Sequence, residues 1–266
     1  MPLNQLSNAM PLSKSKIVQQ FDRAATHYDR FAGVQRNISD DLVTAVDTFA
    51  SARKDTIAIA DFGCGTGTLI KSLADLGYQN LFGFDIAPLM LVEAKQKCPP
   101  EVSFACSDIE SLPVADNSFD VIASNAALQW CRSENAFAEM ERTLRAGGQA
   151  FVCTFGPQTL KQWQDAFGSH VHTFETSDQI ADSIASAGLK LLKLETRLVD
   201  VEFTSVKAMF DSVRRIGASN AQQNPNKSHI SKSNYRAAKS DFEETLKTEG
   251  KLALTYEVIN IAVEKE

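Results

Sequence analysis

Apolar positions along this chain recur with two different periods. Near the N-terminus, Ile17, Phe21, Ala24, Ala25 and Tyr28 fall at helical spacing across 15–31, and a second helix is predicted over about 35–49. The period then changes. Residues 57–60 form a short unbroken apolar run in the style of a buried strand, and a helical pattern over 68–76 ends at Gly77. Residues 81–85, 102–106 and 121–124 read as further strands, the second ending at Asp85 and the fourth at Asn125. Pro88 opens the helix after the second strand, where a missing N–H costs nothing. An amphipathic helix over 134–144 runs into Arg145-Ala146-Gly147-Gly148 and a strand at 149–155. Helices at about 157–167 and 178–187, a strand at 189–199 and a last strand at 254–263 complete the pattern.

Seven strands with helices between the early ones predict a doubly wound α/β sheet. The expected organisation is one domain over 13–266 behind a flexible tail, 1–12. Helices at 13–50 are placed to cover the sheet, and a helical cap insertion, 204–250, lies before the last strand. Within the insertion, helices around 205–216 and 235–247 flank a polar loop, 217–233, rich in Asn, Gln and Ser. No internal repeat is present.

The stretch between the first strand and its helix reads Asp61-x-Gly63-x-Gly65-x-Gly67. Glycines let the backbone bend sharply and leave no Cβ between main chain and ligand. The helix that follows presents free N–H groups to a carboxylate or phosphate. A tight turn without a ligand is the plainer alternative, but three alternating glycines are a costly way to build one. The dinucleotide fingerprint G-x-G-x-x-G carries its acid downstream; here the acid precedes the glycines. This pattern resembles the first motif of the class I S-adenosylmethionine-dependent methyltransferases.

That resemblance implies a Rossmann-like seven-stranded sheet in the order 3-2-1-4-5-7-6, strand 7 antiparallel. It implies that Asp61, Gly63, Cys64, Gly65 and Gly67 hold the methionine end of S-adenosylmethionine. Asp85 lies about 20 residues past the glycines, where such folds place the acid that accepts the ribose hydroxyls; a helix N-cap role can coexist. Ile86 and Met90 would pack beside it. Ser107, Asp108 and Ile109 follow the third strand, where the aspartate can accept from the adenine amino group. Asn125 and Ala126 leave the fourth strand at the edge that lines the crevice of open α/β sheets. Tyr28 and Trp130 would wall the passage to the methyl group.

A narrower resemblance runs over about 16–265. Phe21-Asp22-Arg23-Ala24-Ala25, Tyr28-Asp29, Gln35-Arg36, Leu128-Gln129-Trp130-Cys131, Arg214-Arg215-Ile216-Gly217-Ala218 and Leu254-Thr255-Tyr256-Glu257-Val258 are similar to segments of the malonyl-acyl carrier protein O-methyltransferases of biotin synthesis. Ala146 and Phe62 depart from that pattern, without removing a polar contact. The resemblance implies methyl transfer to the free carboxylate of a malonyl thioester on acyl carrier protein. Positioning of that carboxylate falls to Arg214 or Arg215, with His172 a weaker candidate. Gln35 and Arg36 read either as contacts to a carboxylate of cofactor or substrate or as exposed helix positions. Arg214, Arg215, Lys207, Arg236 and Lys239 are candidates for a basic patch facing an acidic carrier protein. Alternatives are a methyltransferase acting on a small free carboxylic acid or quinone, and an inactive cofactor-binding subunit.

Composition narrows these readings. A net charge of −6 over 266 residues argues against a general nucleic-acid binder. No apolar run is long enough to span a membrane, and the first residues lack the pattern of a secretory signal. Five scattered cysteines without a C-x-x-C pair suggest neither a zinc site nor a disulfide framework. A cytoplasmic enzyme without a metal is expected.

Overall fold

The computed structural model describes residues 13–31, 33–167, 174–215 and 232–266. Two helices and a short third precede the sheet: α1 (Lys14–Ala24), α2 (Tyr28–Phe31) and α3 (Gly33–Ala50). The core alternates β1 (Ala58–Phe62), α4 (Thr68–Asp75), β2 (Asn80–Asp85), α5 (Pro88–Lys97), β3 (Ser103–Cys106), β4 (Phe119–Asn125), α6 (Ser133–Thr143) and β5 (Leu144–Phe155). Then come α7 (Lys161–Phe167), α8 (Ser177–Ser186), β6 (Lys190–Phe203), α9 (Val206–Arg215), α10 (Lys232–Glu249) and β7 (Leu252–Glu264).

The strands form one sheet in the order β3-β2-β1-β4-β5-β7-β6. β1 to β5 run parallel, and β7 lies antiparallel between β5 and β6. Strand alternation sends side chains to opposite faces, and both faces here are apolar. Ile57 and Ile59 join Val34, Ile38 and Val46 of α3 and Leu73 of α4 on one side. Ala60 and Phe62 join Phe137 and Met140 of α6 and Ile184 of α8 on the other. A sheet buried on both faces is why its strands read as continuous apolar runs. Truncating a fully buried residue such as Ile59 to alanine should cost about 2–5 kcal/mol.

The boundaries differ from expectation where tertiary contacts intervene. The first predicted helix is broken by a 3₁₀ turn at Ala25–His27. Ala25 is buried there against Ala87 and Met90 of the α5 region, and the tighter turn re-aims Tyr28. β5 begins five residues early, taking in the predicted turn, with Gly147 at φ +72° and a register shift opposite Phe119–Val121. The helix expected from 157 starts at Lys161, because 156–160 form a loop pinned to β7. There Gly156 N donates to Glu257 O at 2.8 Å and Leu160 N to Thr255 O at 2.7 Å. β6 runs on to Phe203, paired with β7 throughout. The predicted tail and most of the polar loop 217–233 lie outside the described residues.

Candidate active site

In an open parallel sheet the ligand crevice lies at the carboxyl ends of the strands, where the strand order reverses. Here that point is between β1 and β4. Four strand exits converge on it: the glycine loop after β1, Asp85 at the end of β2, Ser107–Ile109 after β3 and Asn125–Ala127 after β4. Loops from β1 and β4 nearly touch. Gly63 has φ +79°, and a Cβ built on it would stand 2.3 Å from the Cβ of Ala127. Gly65, at φ +52°, has open space where its Cβ would be, because it faces the crevice.

Main-chain bonds hold the loop against the second strand. Gly63 N and Cys64 N both donate to Phe84 O, at 2.8 and 2.9 Å. Asp85 accepts from Gly65 N on one oxygen and from Ala87 N on the other, each at 2.8 Å. One carboxylate therefore ties the glycine loop to the start of α5. Gly67 differs from the other two. It lines neither neighbouring cavity; it sits left-handed at the start of α4, and a Cβ there would meet Ala94 and Cys98 at 3.0 Å. The absence of a Cβ at Gly67 lets the start of α4 pack closely against the end of α5.

Three cavities meet at Tyr28. The largest, about 610 Å³, is bounded by Asp85, Ile86, Met90, Ser107, Asp108 and Ile109, with Trp130 and α1 over it. A second, about 460 Å³, lies behind the glycine loop with Asp61, Cys64, Gln35, Arg36 and Asn125. A third, about 370 Å³, opens on the other side of Tyr28, between Ala126, Trp130, Phe155, Leu160 and Tyr256. Leu160 keeps φ +58° at its edge.

The two most deeply buried acids in this crevice lack cations. Neither Asp61 nor Asp85 is in an ion pair among the described residues. Burial, helped by the Asp85 charge, pushes the Asp61 carboxyl up to about 8, and its Oδ1 has no hydrogen-bond partner among the described residues. Burial pushes Asp85 up to about 6, opposed by the N–H groups of Ala87 and Gly65. Burial and the neighbouring Asp85 charge also raise Tyr28, keeping its hydroxyl protonated. Asn125 donates to Gln35 O at 2.8 Å while its own Oδ1 is buried without a partner.

The N-terminal helices are tied down over the crevice at three places. Lys14 donates to Asp108 Oδ1 at 3.0 Å and pairs with Glu110. Asp22 accepts from Leu89 N at the start of α5, at 2.9 Å. Asp29 accepts from Thr66 Oγ1 and pairs with Lys97. Phe21 packs edge-on against Trp130 with ring centres 5.4 Å apart, and against Tyr28 at 6.2 Å.

The structure thus gathers Tyr28, Gly63, Gly65, Asp85, Ile86, Met90, Ser107, Asp108, Ile109, Asn125, Ala126 and Trp130 around one cavity, with Asp61, Cys64 and Arg36 around its neighbour. Asp108 is shared with Lys14, a residue that sequence reasoning missed. Its partner is 94 positions away and nothing local marks it. Thr159 and Tyr256, which line the third cavity, were missed for the same reason. His172 and the side chains of Arg214 and Arg215 lie outside the described residues. Of the expected basic patch, Lys207 pairs with Asp211 at 2.6 Å and Lys239 with Glu243 at 3.3 Å along their own helices, and Arg236 is exposed. Among the described residues no group of three or more His, Cys, Asp or Glu is arranged to hold a metal, and no helix is long and apolar enough to cross a membrane.

A sheet in this order, with an acid-and-glycine loop at its switch point, has the fold of the class I methyltransferases. A methyltransferase-domain family matches residues 60–152. The malonyl-[acyl-carrier protein] O-methyltransferase of Dechloromonas aromatica is 32% identical over 95% of both chains. That of Laribacter hongkongensis is 30% identical, over 96% of this chain and 90% of its own. The biotin biosynthesis bifunctional protein BioHC of Saccharophagus degradans is 30% identical over 92% of this chain and 46% of its own. The chain belongs to the malonyl-[acyl-carrier protein] O-methyltransferase family. Among solved structures it is similar to the [4+2]-cyclase SpnF, with a TM-score of 0.62 and 17% identity over 96% of this chain and 97% of that one. It is also similar to geranyl diphosphate C-methyltransferase from Streptomyces coelicolor, with a TM-score of 0.50 and 13% identity over 84% of this chain and 77% of that one. Those likenesses speak to fold alone; a cyclase and a methyltransferase share it, so chemistry must be argued from the site.

Proposed function

We propose that this chain moves a methyl group from S-adenosylmethionine to the free carboxylate of the malonyl thioester of acyl carrier protein. The product methyl ester would prime synthesis of the pimeloyl precursor of biotin. The observation that carries this reading is kinship along nearly the whole chain to proteins named for that reaction.

The residues present suit such a donor. Two buried acids without a cation, one with an orphaned oxygen, favour a ligand bearing positive charge. Asp61 and the backbone at Gly63, Cys64 and Gly65 would take its amino-acid end, with Arg36 at the carboxylate. Asp85 and Ile86 would hold the ribose, and Met90, Ser107, Ile109 and the unshared oxygen of Asp108 the adenine. Asn125 and Ala126 would border the sulfur. When bound, the donor supplies a methyl on a sulfonium sulfur: the O–CH₃ bond forms from a carboxylate lone pair as the S–CH₃ bond breaks onto sulfur, leaving a neutral ester and a thioether. No proton moves, and a malonyl carboxylate is already ionised at pH 7. The chain's share is therefore alignment and exclusion of water. Tyr28 and Trp130 wall the junction, and the cover 13–50 closes it.

Within a single domain, 13–266, the cap 204–250 would receive the carrier. Its Lys207, Arg214, Arg215, Arg236 and Lys239 would meet acidic groups there, which would compete with the in-helix acids now paired to two of them. We place the enzyme in the cytoplasm with its substrate.

The test is direct. Purified protein, malonyl-carrier protein and methyl-labelled donor should yield a carrier bearing a base-labile labelled ester. If free malonate is labelled as fast and the carrier is not, the small-acid alternative replaces this reading.

A further inference from the structure

The third cavity poses a problem for an anionic acceptor: none of the described residues that line it is charged. Most of its polar side chains are already engaged. Gln129 donates to Ala126 O at 2.6 Å and accepts from Thr154 Oγ1 at 3.1 Å. The Thr159 hydroxyl accepts from Glu257 N at 3.1 Å and donates to Glu257 O at 3.3 Å.

Gln35 is not among them. It is 9% exposed, and its carboxamide has no hydrogen bond among the described residues. It lines both the third cavity and the one behind the glycine loop, so it stands where acceptor and donor chambers adjoin. Its backbone is anchored by Asn125, and buried Val34 and Ile38 fix its turn of α3. Its amide is therefore open to a ligand in the cavities it lines and has no protein partner to give up.

We propose that the Gln35 carboxamide holds the acceptor carboxylate, donating Nε2–H to one oxygen while the other faces the methyl; this rests on the reading of the substrate given above. A neutral single donor suits the chemistry. Two N–H groups of an arginine would occupy both oxygens and draw electron density from a nucleophile that is already weak. One amide on one oxygen orients the group and leaves the second lone pair available. Tyr28, kept protonated beside it, adds a second neutral hydroxyl at the junction.

The experiment compares wild type with Gln35→Leu and Gln35→Glu. Steady-state kinetics on malonyl-carrier protein are read beside two binding measurements by calorimetry: S-adenosylhomocysteine alone, and malonyl-carrier protein in its presence. Gln35→Leu should weaken carrier binding and kcat/KM together by about 10- to 100-fold, the value of a hydrogen bond to a charged group. Its affinity for S-adenosylhomocysteine should stay within about twofold of wild type, which also reports an intact fold. Gln35→Glu should be worse at pH 8, and its activity relative to wild type should recover as the introduced carboxyl protonates and becomes a donor. Unchanged carrier binding in Gln35→Leu overturns the proposal, as does an equal loss of S-adenosylhomocysteine affinity, which would assign Gln35 to the donor. A wild type that binds S-adenosylhomocysteine but never methylates malonyl-carrier protein takes down the functional reading, and this proposal with it.

Discussion

Asp61→Asn should make the ligand-free protein more stable and the cofactor weaker. In the folded chain the Asp61 carboxyl titrates at about 8 instead of 3.8, first because it is buried and then because Asp85 is charged nearby. Folding at neutral pH must therefore protonate a group that is ionised in the unfolded chain. A shift of that size corresponds to about 5 kcal/mol as an upper bound. The asparagine leaves its own buried amide poorly satisfied, which returns about 1–3 kcal/mol. A net gain of at most about 2–4 kcal/mol is expected at pH 8, or a rise in Tm of at most about 4–16 °C for a chain this long. The sign with pH follows from linkage. The folded state keeps a proton that the unfolded state has released from about pH 4 upward, so wild-type stability falls as pH rises toward 8. The variant should lose that slope. Cofactor binding should move the opposite way. A cationic ligand favours the ionised carboxylate, so association in the wild type strengthens from pH 6 to 8 and releases a proton. Calorimetry in two buffers of different ionisation enthalpy reads that proton, and scanning calorimetry reads the stability. Asp61→Asn should bind S-adenosylhomocysteine about 10- to 100-fold more weakly, without proton release. A variant less stable than wild type at pH 8, with unchanged ligand affinity, would refute the view of Asp61 as an unpaired acid awaiting a cation.

Two neighbouring glycines should fail for different reasons. Gly63→Ala, strained at φ +79° and 2.3 Å from Ala127, should cost about 2–4 kcal/mol in urea unfolding. Gly65→Ala, which has open space, should cost only about 1 kcal/mol yet weaken S-adenosylhomocysteine because its methyl enters the cradle. Lys14→Ala releases the cover from Asp108 and Glu110, so S-adenosylhomocysteine should dissociate faster in stopped flow, and added salt should narrow the gap to wild type. Its global stability should change by less than about 1 kcal/mol, as for other half-exposed pairs. Arg214→Glu and Arg215→Glu should raise KM for malonyl-carrier protein while S-adenosylhomocysteine affinity holds; unchanged carrier kinetics in both would move the docking surface elsewhere.

What the chain reveals by itself is what its backbone demands locally. The strand and helix runs and the bend at Gly63 and Gly65 are legible because one segment's geometry dictates the residue type, whatever lies opposite. Asp85 is legible for a related reason: its carboxylate reaches back only to Gly65, within one β–α–β unit. Misreadings begin where the constraint comes from far along the chain. Gly67 carries the same signature as its two neighbours, and nothing local shows that it packs against Ala94 of α5 and Cys98 just past it. The break in the first helix is set by Ala87 and Met90, more than 60 positions past Ala25. Lys14 sits in an ordinary stretch of serine and lysine, and only the closed cover shows that it shares Asp108. Gln35 is half legible: in sequence it stays open between a contact to a carboxylate and an exposed helix position. Its burial depends on Tyr28 and the β4 exit closing around it, 90 positions away in the case of Asn125. The proposed donor site is thus assembled mainly from strand exits whose residue types are locally required, whereas the proposed acceptor chamber is assembled from distant segments that meet. Variation at 35, 129, 159 and 256 should accordingly change substrate preference while leaving the cofactor's affinity in place.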